Sequence, residues 1–458
     1  MEKEFKHIHL IAVGGSIMHN LALALHDKGL QVTGSDDEIY EPAKSRLAAA
    51  GILPEQEGWY PEKLDAKPDA VILGMHARPD NPELKRAQEL NIPIYSFPEF
   101  IYEQSKDKQR IVIGGSHGKT SITSIIMHVL QHLGRKFDYA VGAQLEGFDR
   151  MVKLTEDAPI IIIEGDEYLS DPIKRVPKFH LYHHHIAVIS GISWDHINVF
   201  PDPDMYREQF RIFAEMTPKA GTLIYNQDDE QVLLAAVPRN PADIAYIGYG
   251  VHDHSIRNGK TILHTKKEGD VEIQLFGEHN LRNINAAKEV CKKIGVKAHD
   301  FYEALKTFKG AAKRLEKLAG NDHTVIYRDF AHAPSKVKAT TEAVKNQYPQ
   351  RELVAVVELH TFSSLNKNFL PQYAGALDKA DEAIVFFSPK TLEHKRMEMI
   401  SEGELKNAFQ NQSIKVFTDS AALQEHLSSR SWQEANLLLM SSGTYNGMDL
   451  NALKQAIL

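Results

Sequence analysis

Short apolar runs alternate along this chain with longer stretches whose apolar residues fall three and four apart, the patterns of buried strands and of amphipathic helices. Residues 7–13 predict a strand, Gly14-Gly15-Ser16 a tight turn, and residues 17–28 a helix ended by Gly29. Residues 31–34 predict a second strand, followed by Ser35-Asp36. A helix over 43–50, a strand over 70–73, a helix over 82–90 and a short strand at Ile94-Tyr95 continue the series. This βαβ rhythm predicts a parallel sheet covered by helices. The polar stretch Ser105-Lys106-Asp107-Lys108 reads as a link to the next segment.

The same alternation restarts at Arg110 with RIVIGGSHGKTSITSIIMHVL. Ile111-Val112-Ile113 is a β-branched strand, and Gly114 to Gly118 is a turn that can expose its backbone N–H groups. Lys119-Thr120-Ser121 then opens a helix with apolar residues at Ile122, Ile125, Ile126 and Val129. Loop amides and a helix N-terminus attract anions, a lysine reaches terminal phosphates, and a threonine hydroxyl binds Mg²⁺. Gly115, Ser116, His117, Gly118, Lys119, Thr120 and Ser121 are therefore the candidate phosphate cradle, although Ile113 stands where the usual motif has its first Gly.

Two apolar strands follow, over 159–163 and 186–189, ending in Glu164-Gly165-Asp166-Glu167 and, past Ser190-Gly191-Ile192-Ser193, in Trp194-Asp195-His196. Carboxylates at the carboxyl ends of parallel strands sit where α/β proteins place their ligands. Glu164 is the leading Mg²⁺ candidate, and His196 could neighbour a metal or phosphate. The tract His183-His184-His185 resembles a metal site, but adjacent residues on an extended chain point to opposite faces and cannot converge on one ion. A solvated approach to the next strand is expected there. Gly277 precedes a helix in which Asn280 suits the N-cap, and His279, Asn280 and Asn283 could read the edge of a base.

The last segment repeats the strand–helix pattern. Strands are predicted over 324–327, 353–357, 383–387 and 437–440, and helices over 335–347 and 365–377. Polar groups cluster at the strand ends, as in Arg328-Asp329-Phe330-Ala331-His332 and Glu358-Leu359-His360. The fold class is thus α/β with three domains: an N-terminal Rossmann-like unit over 1–107, a central P-loop mononucleotide-binding unit over 108–310, and a C-terminal Rossmann-like unit over 311–458.

Composition narrows the function classes. A net charge of −8 without a basic tract argues against nucleic acid as a partner. The stretch 8–26, free of Asp, Glu, Lys and Arg, contains too many Gly, Ser, His and Asn residues for a membrane span and lacks the marks of a signal peptide. The single cysteine, Cys291, allows no disulfide within the chain, so a cytoplasmic location and a buried, inert thiol are expected.

In their order and spacing, GGSHGKTS, EGDE, DH, EHNLRNINAA and DFAHAP resemble the Mur ligase family over nearly the whole chain. The resemblance implies an ATP-dependent amide ligase of cell-wall peptide synthesis. In that family the N-terminal domain binds a UDP-sugar, the central domain ATP, and the C-terminal domain the incoming amino compound. It implies ATP and Mg²⁺ as cofactors, with Lys119 on the β- and γ-phosphates, Thr120, Glu164 and His196 at magnesium, and His279, Asn280 and Asn283 at the adenine. Arg314 and Asp329 would reach the nucleotide from the C-terminal domain on closure, with His332 close by. Gly14, Gly15, Ser16 and Asp36 would hold the UDP portion. Phe210 falls where several members carry a carbamylated lysine, so none is expected.

Within the family the N-terminal unit is similar to the branches that accept UDP-N-acetylmuramic acid, one adding L-alanine and one reattaching the tripeptide L-alanyl-γ-D-glutamyl-meso-diaminopimelate. Ile17-Met18 in the first turn, Glu167-Tyr168 and the stretch 174–179 resemble the tripeptide branch, which is the reading favoured, while His360-Thr361-Phe362 looks more like the alanine branch. The sugar carboxylate would attack the γ-phosphate of ATP, and the amine would attack the resulting acyl phosphate. The partners expected are UDP-N-acetylmuramic acid and a peptide or amino-acid acceptor, with no nucleic acid and no membrane, and with the chain as a monomer or weak homodimer. A nucleotide-binding protein without catalysis and a folylpolyglutamate-type ligase are the other classes. The intact Lys119, Thr120, Glu164 and His196 argue against the first, and the N-terminal unit argues against the second.

Overall fold

The computed structural model describes residues 4–194, 199–236, 243–257, 259–310 and 314–458. They form two compact units. The first holds the described residues up to Ile192 together with Asp202–Tyr249 and Ala286–Gly295, and the second holds those of Ser193–Pro201, Gly250–Asn285 and Val296–Leu458.

The first unit contains two sheets. In the smaller, β1 (His7–Ile11), β2 (Gln31–Ser35), β3 (Ala70–Leu73) and β4 (Ile94–Ser96) run parallel in the order β2-β1-β3-β4. Ile8, Leu10, Ile11 and the whole of β3 are buried, because helices cover both faces of a parallel sheet and leave no position for alternation. The larger sheet is made of β5 (Gln109–Gly114), β6 (Asp138–Ala140), β7 (Val152–Lys153), β8 (Ile160–Gly165), β9 (Ile186–Ile189), β10 (Thr222–Asn226) and β11 (Ala245–Tyr249). Its order is β11-β10-β9-β5-β8-β6-β7, and only the β6–β7 pair is antiparallel. β5 lies between β8 and β9, so the turn after it opens beside the carboxyl ends of both.

The second unit has a three-stranded antiparallel sheet, β12 (His254–Arg257), β13 (Lys260–His264) and β14 (Asp270–Ile273). It also has a six-stranded sheet, from β15 (Glu316–Gly320), β16 (Val325–Asp329), β17 (Glu352–Glu358), β18 (Glu382–Phe386), β19 (Lys415–Phe417) and β20 (Ala435–Met440), in the order β15-β16-β20-β17-β18-β19. Helix Pro334–Gln347 connects β16 to β17, yet β20 lies between them. Apolar clusters pack on both faces of this sheet. Among the described residues no helix is long and apolar enough to cross a membrane.

Three local expectations are corrected. Residues 365–377 are not an α-helix: they hold only the 3₁₀ turn Leu370–Tyr373. Pro371 lacks a donor N–H, the Asn366 side chain takes the Asn368 N–H, and Thr361 Oγ1 takes the Ser364 N–H, so local turns replace the helix ladder. Asn280 is not an N-cap, because the helix Glu278–Lys293 already includes it and Gly277, at φ +85°, makes the turn before it. The histidine tract is solvated only in part: His183 is exposed and His185 half-buried, but His184 is not. His184 is 1% exposed against Thr217 and Phe213, and burial, with the neighbouring His185 and His183, lowers its pKa to about 3. The link over 105–108 is held firmly: Ser105 and Lys108 are buried, and Lys108 Nζ reaches Asp138, Thr155 O and Ala158 O. Cys291 is buried, which raises its thiol pKa, as an inert thiol requires.

Candidate active site

The phosphate cradle forms where β5 meets helix Lys119–His132. Gly115 has φ +138°, and a Cβ there would lie 2.0 Å from Ser190 Oγ, so only glycine fits. Ser190 ties the turn to β9 by donating to Gly114 O at 3.1 Å and to His117 O. Thr120 Oγ1 donates to Glu164 Oε1 at 2.9 Å, and Gly142 N donates to Glu164 Oε2 at 3.2 Å. Ser121 follows in the first helical turn.

Lys119 Nζ donates to Gly115 O at 2.5 Å and to Glu167 Oε2 at 2.6 Å. Burial works against the ammonium, but the charges of Glu167 and Asp166 outweigh it and hold the pKa above the ordinary lysine value. The Tyr206 hydroxyl donates to Glu167 Oε1 at 3.1 Å and lies 2.8 Å from Ser116 Oγ. One buried carboxylate thereby fixes the lysine and, through a phenol, the loop. The strand end carries three acids, and two have their own lysine: Glu167 pairs with Lys119 and Asp166 with Lys178, at 2.8 Å. Among the described residues Glu164 forms no ion pair and faces a threonine hydroxyl instead, leaving its oxygens suited to a hard cation.

A cavity of about 780 Å³ runs through this unit, lined by Gly14, Gly15, Ser16 and Asp36 and, on the central sheet, by Glu164 and Asp166. Gly14 N donates to Asp36 Oδ2 at 2.7 Å. Burial and the contact with Asp37 push the Asp36 pKa up to about 6, although the Gly14 amide opposes them. Asn20 holds the turn in place: its Nδ2 donates to Ser16 O at 2.9 Å, and its Oδ1 accepts from Met151 N at 2.9 Å.

In the second unit, His279, Asn280 and Asn283 share the first turns of helix Glu278–Lys293. Asn280 and Asn283 are buried, and Asn280 Nδ2 donates to Phe276 O at 3.0 Å. Burial lowers the His279 pKa, against the charge of Asp329, which ends β16 and accepts from Thr340 Oγ1 at 2.7 Å. The Arg314 guanidinium stacks 4.9 Å over the Phe330 ring, and His332 Nδ1 lies 2.9 Å from Phe330 O.

Three family patterns match in succession: "Mur ligase family, catalytic domain" over residues 7–109, "Mur ligase middle domain" over 113–291 and "Mur ligase, glutamate ligase domain" over 313–443. The chain belongs to the Mur ligase family. These are ATP-dependent ligases that form amide bonds in peptidoglycan synthesis. This Mur ligase is 33% identical over 391 residues to the UDP-N-acetylmuramate–L-alanine ligase of Lactiplantibacillus plantarum, covering 82% of this chain and 83% of that one. The solved UDP-N-acetylmuramate:L-alanyl-γ-D-glutamyl-meso-diaminopimelate ligase of Neisseria meningitides is 27% identical, with a TM-score of 0.60, covering 67% of this chain and 99% of that one. The UDP-N-acetylmuramate–alanine ligase of Thermotoga maritima shares the fold, with a TM-score of 0.69 at 19% identity over 99% of each chain.

Of the residues expected at the site of this Mur ligase, Lys119, Thr120 and Glu164 meet at one corner, and Gly14, Gly15, Ser16 and Asp36 share a cavity with Glu164. His279, Asn280, Asn283, Arg314, Asp329 and His332 belong to the second unit. His196, expected at the metal, lies outside the described residues. Sequence reasoning missed the partners of Lys119. Glu167 was readable as an acid at a strand end, but Tyr206 lies 39 residues beyond it and no motif marks it.

Proposed function

We propose that this Mur ligase uses ATP to activate the lactyl carboxylate of UDP-N-acetylmuramic acid and joins it to an amine through an acyl phosphate. The carrying observation is the single cavity that runs from the Gly14-Gly15-Ser16 turn to Glu164, which touches Thr120 beside Lys119. A UDP-sugar gripped at the turn has its acid end directed toward the phosphate corner. Thr120 and Glu164 offer two hard oxygens, which suits Mg²⁺ once phosphate and water oxygens complete its shell. Bound there, the ion would offset repulsion between a carboxylate and a triphosphate. Lys119 exchanges Glu167 for phosphate oxygens, and the loop amides between Gly115 and Lys119 hold the remaining charge. The single buried thiol fits a cytoplasmic location for this work.

L-Alanine is the first reading of the amine, supported by relatives at 33% identity that are named for it. The tripeptide is the second, and a specific observation favours it: the first turn carries Ile17 and Met18, and residues 168–178 add a folded excursion that lines the cavity at Ser170 and Lys178. Incubation with ATP, UDP-N-acetylmuramic acid and either amine separates them by product mass. The expected product is UDP-N-acetylmuramoyl-L-alanine. Turnover only with the tripeptide installs the second reading, and turnover with neither refutes the proposal.

A further inference from the structure

The excursion between Glu167 and Phe179 is built to present one side chain. It doubles back through a bridge between Leu169 and Pro177, with Ser170 N donating to Val176 O at 2.8 Å and Lys178 N donating to Tyr168 O at 2.9 Å. Asp171 Oδ1 accepts from Ile173 N and Lys174 N, each at 2.8 Å, which stiffens the tip. Lys174 contacts Glu99 of helix Phe97–Glu103. Phe179, fully buried, stacks on Phe213 at 4.5 Å and fixes the chain directly after Lys178. Lys178 lines the cavity, its side chain 13% exposed and its ammonium 2.8 Å from Asp166 Oδ2.

Charge gives this placement its meaning. The central wall of the cavity carries Glu164 and Asp166, both of which repel an incoming carboxylate. Lys119 is committed to Glu167 and, in the proposed reaction, to the nucleotide. The other basic side chains lining the cavity, His76 and Arg78, sit on the segment after β3, and Arg78 is 83% exposed beside Asp80. Among the described residues, Lys178 is the cavity's one cationic side chain on the wall where the sugar acid has to arrive.

We infer that Lys178 binds the lactyl carboxylate of the sugar nucleotide, leaving Asp166 for it, and so determines that the substrate is an acid-bearing UDP-sugar. This rests on the functional reading above and adds the residue that selects the acid. The carboxylate reacts as an anion, so Lys178 moves no proton. It neutralises charge while the carboxylate oxygen bonds to the γ-phosphorus and the bond from that phosphorus to the ADP oxygen breaks.

Equilibrium binding of UDP-N-acetylmuramic acid and of UDP-N-acetylglucosamine, which lacks the lactyl acid, tests this without turnover. The wild-type protein should prefer the first. Lys178→Met should lower that preference about tenfold, the loss of one partly desolvated charge contact. Lys178→Arg should keep most of it. Asp166→Asn breaks the same ion pair but leaves the ammonium, and should keep the preference too. Equal loss in Lys178→Met and Asp166→Asn, or an unchanged ratio in Lys178→Met, overturns the inference alone, and Lys178→Gln gives the same reading if the Met variant does not fold. A wild-type protein that binds neither sugar nucleotide overturns the functional reading as well.

Discussion

The first unit uses a strand, a glycine turn and a helix twice, and the two copies hold opposite charge arrangements. Behind the turn at Gly14 stands a buried acid, Asp36, with no ion pair among the described residues. Behind the turn at Gly115 stand three acids, and each is answered: Glu167 by Lys119, Asp166 by Lys178, and Glu164 by the Thr120 hydroxyl and the Gly142 amide. The backbone device is shared, so it cannot decide which turn takes a triphosphate. On the proposed reading the lysine and its carboxylates decide it, because a polyanion needs a cation and a metal seat side by side, and among the described residues the second turn sets Lys119 beside Thr120 and Glu164.

The sharpest way to break this comparison is Lys119→Ala. It should lower turnover on the order of 10²–10³-fold, a transition-state charge contribution of about 3–4 kcal/mol. Near-normal turnover would mean that the second turn is no more specialised than the first. Next comes glycine geometry. Gly115→Ala places a Cβ in positive-φ backbone and 2.0 Å from Ser190 Oγ, and it should weaken MgATP binding about 100-fold, measured by titration with the purified protein. Gly14→Ala meets a milder obstacle, Asp36 Oδ2 at 3.0 Å and Ile39 Cγ1 at 3.2 Å. It should raise the KM for the sugar nucleotide about tenfold and leave the KM for MgATP near its original value. If both variants damage ATP binding alike, the division of labour between the turns is wrong.

What could be read from the sequence follows the reach of the interactions. Lys119 and Thr120 were legible because phosphate chemistry fixes residues that are adjacent in the chain. The first sheet was legible because β3 is buried throughout and reads as an unbroken apolar run, and because Ile8, Leu10 and Ile11 give β1 its apolar positions around two histidines. The partners of Lys119 were not. Glu167, Tyr206 and Ser190 converge on the cradle from three separate segments, and only folding brings them there. Burial of His184 was missed for a related reason: its partners Thr217 and Phe213 come from beyond the helix Pro203–Glu215 and from within it, so a hydroxyl and an aromatic ring distant in the chain take the place of solvent. The error over residues 365–377 is local. Apolar spacing there suits a helix, but Asn366, Thr361 and Pro371 supply competing turns.

Asp36→Asn carries the smallest effect and separates the two turns most cleanly, because stability and affinity should move in opposite directions. The folded pKa of Asp36 is about 6, above the ordinary 3.8, so the folded protein holds a proton that the unfolded chain releases. The wild type is therefore relatively most stable below about pH 4, loses that advantage as pH rises from 4 to 6, and stays at the lower level above 6. Asparagine has no charge to bury. Relative to wild type, the variant should gain about 1 kcal/mol above pH 6, a value discounted from the full shift because Asp36 keeps some contact with solvent. Thermal melts of both proteins between pH 4 and 8 measure the difference, which should be absent at pH 4 and present at pH 7. Its sugar-nucleotide KM should rise several-fold, since an amide offers the cavity weaker acceptance than a carboxylate. The matching change behind the other turn, Glu167→Gln, should instead lower stability by stranding a buried ammonium. If Asp36→Asn also destabilises at pH 7, the first turn is compensated like the second and the contrast between them fails.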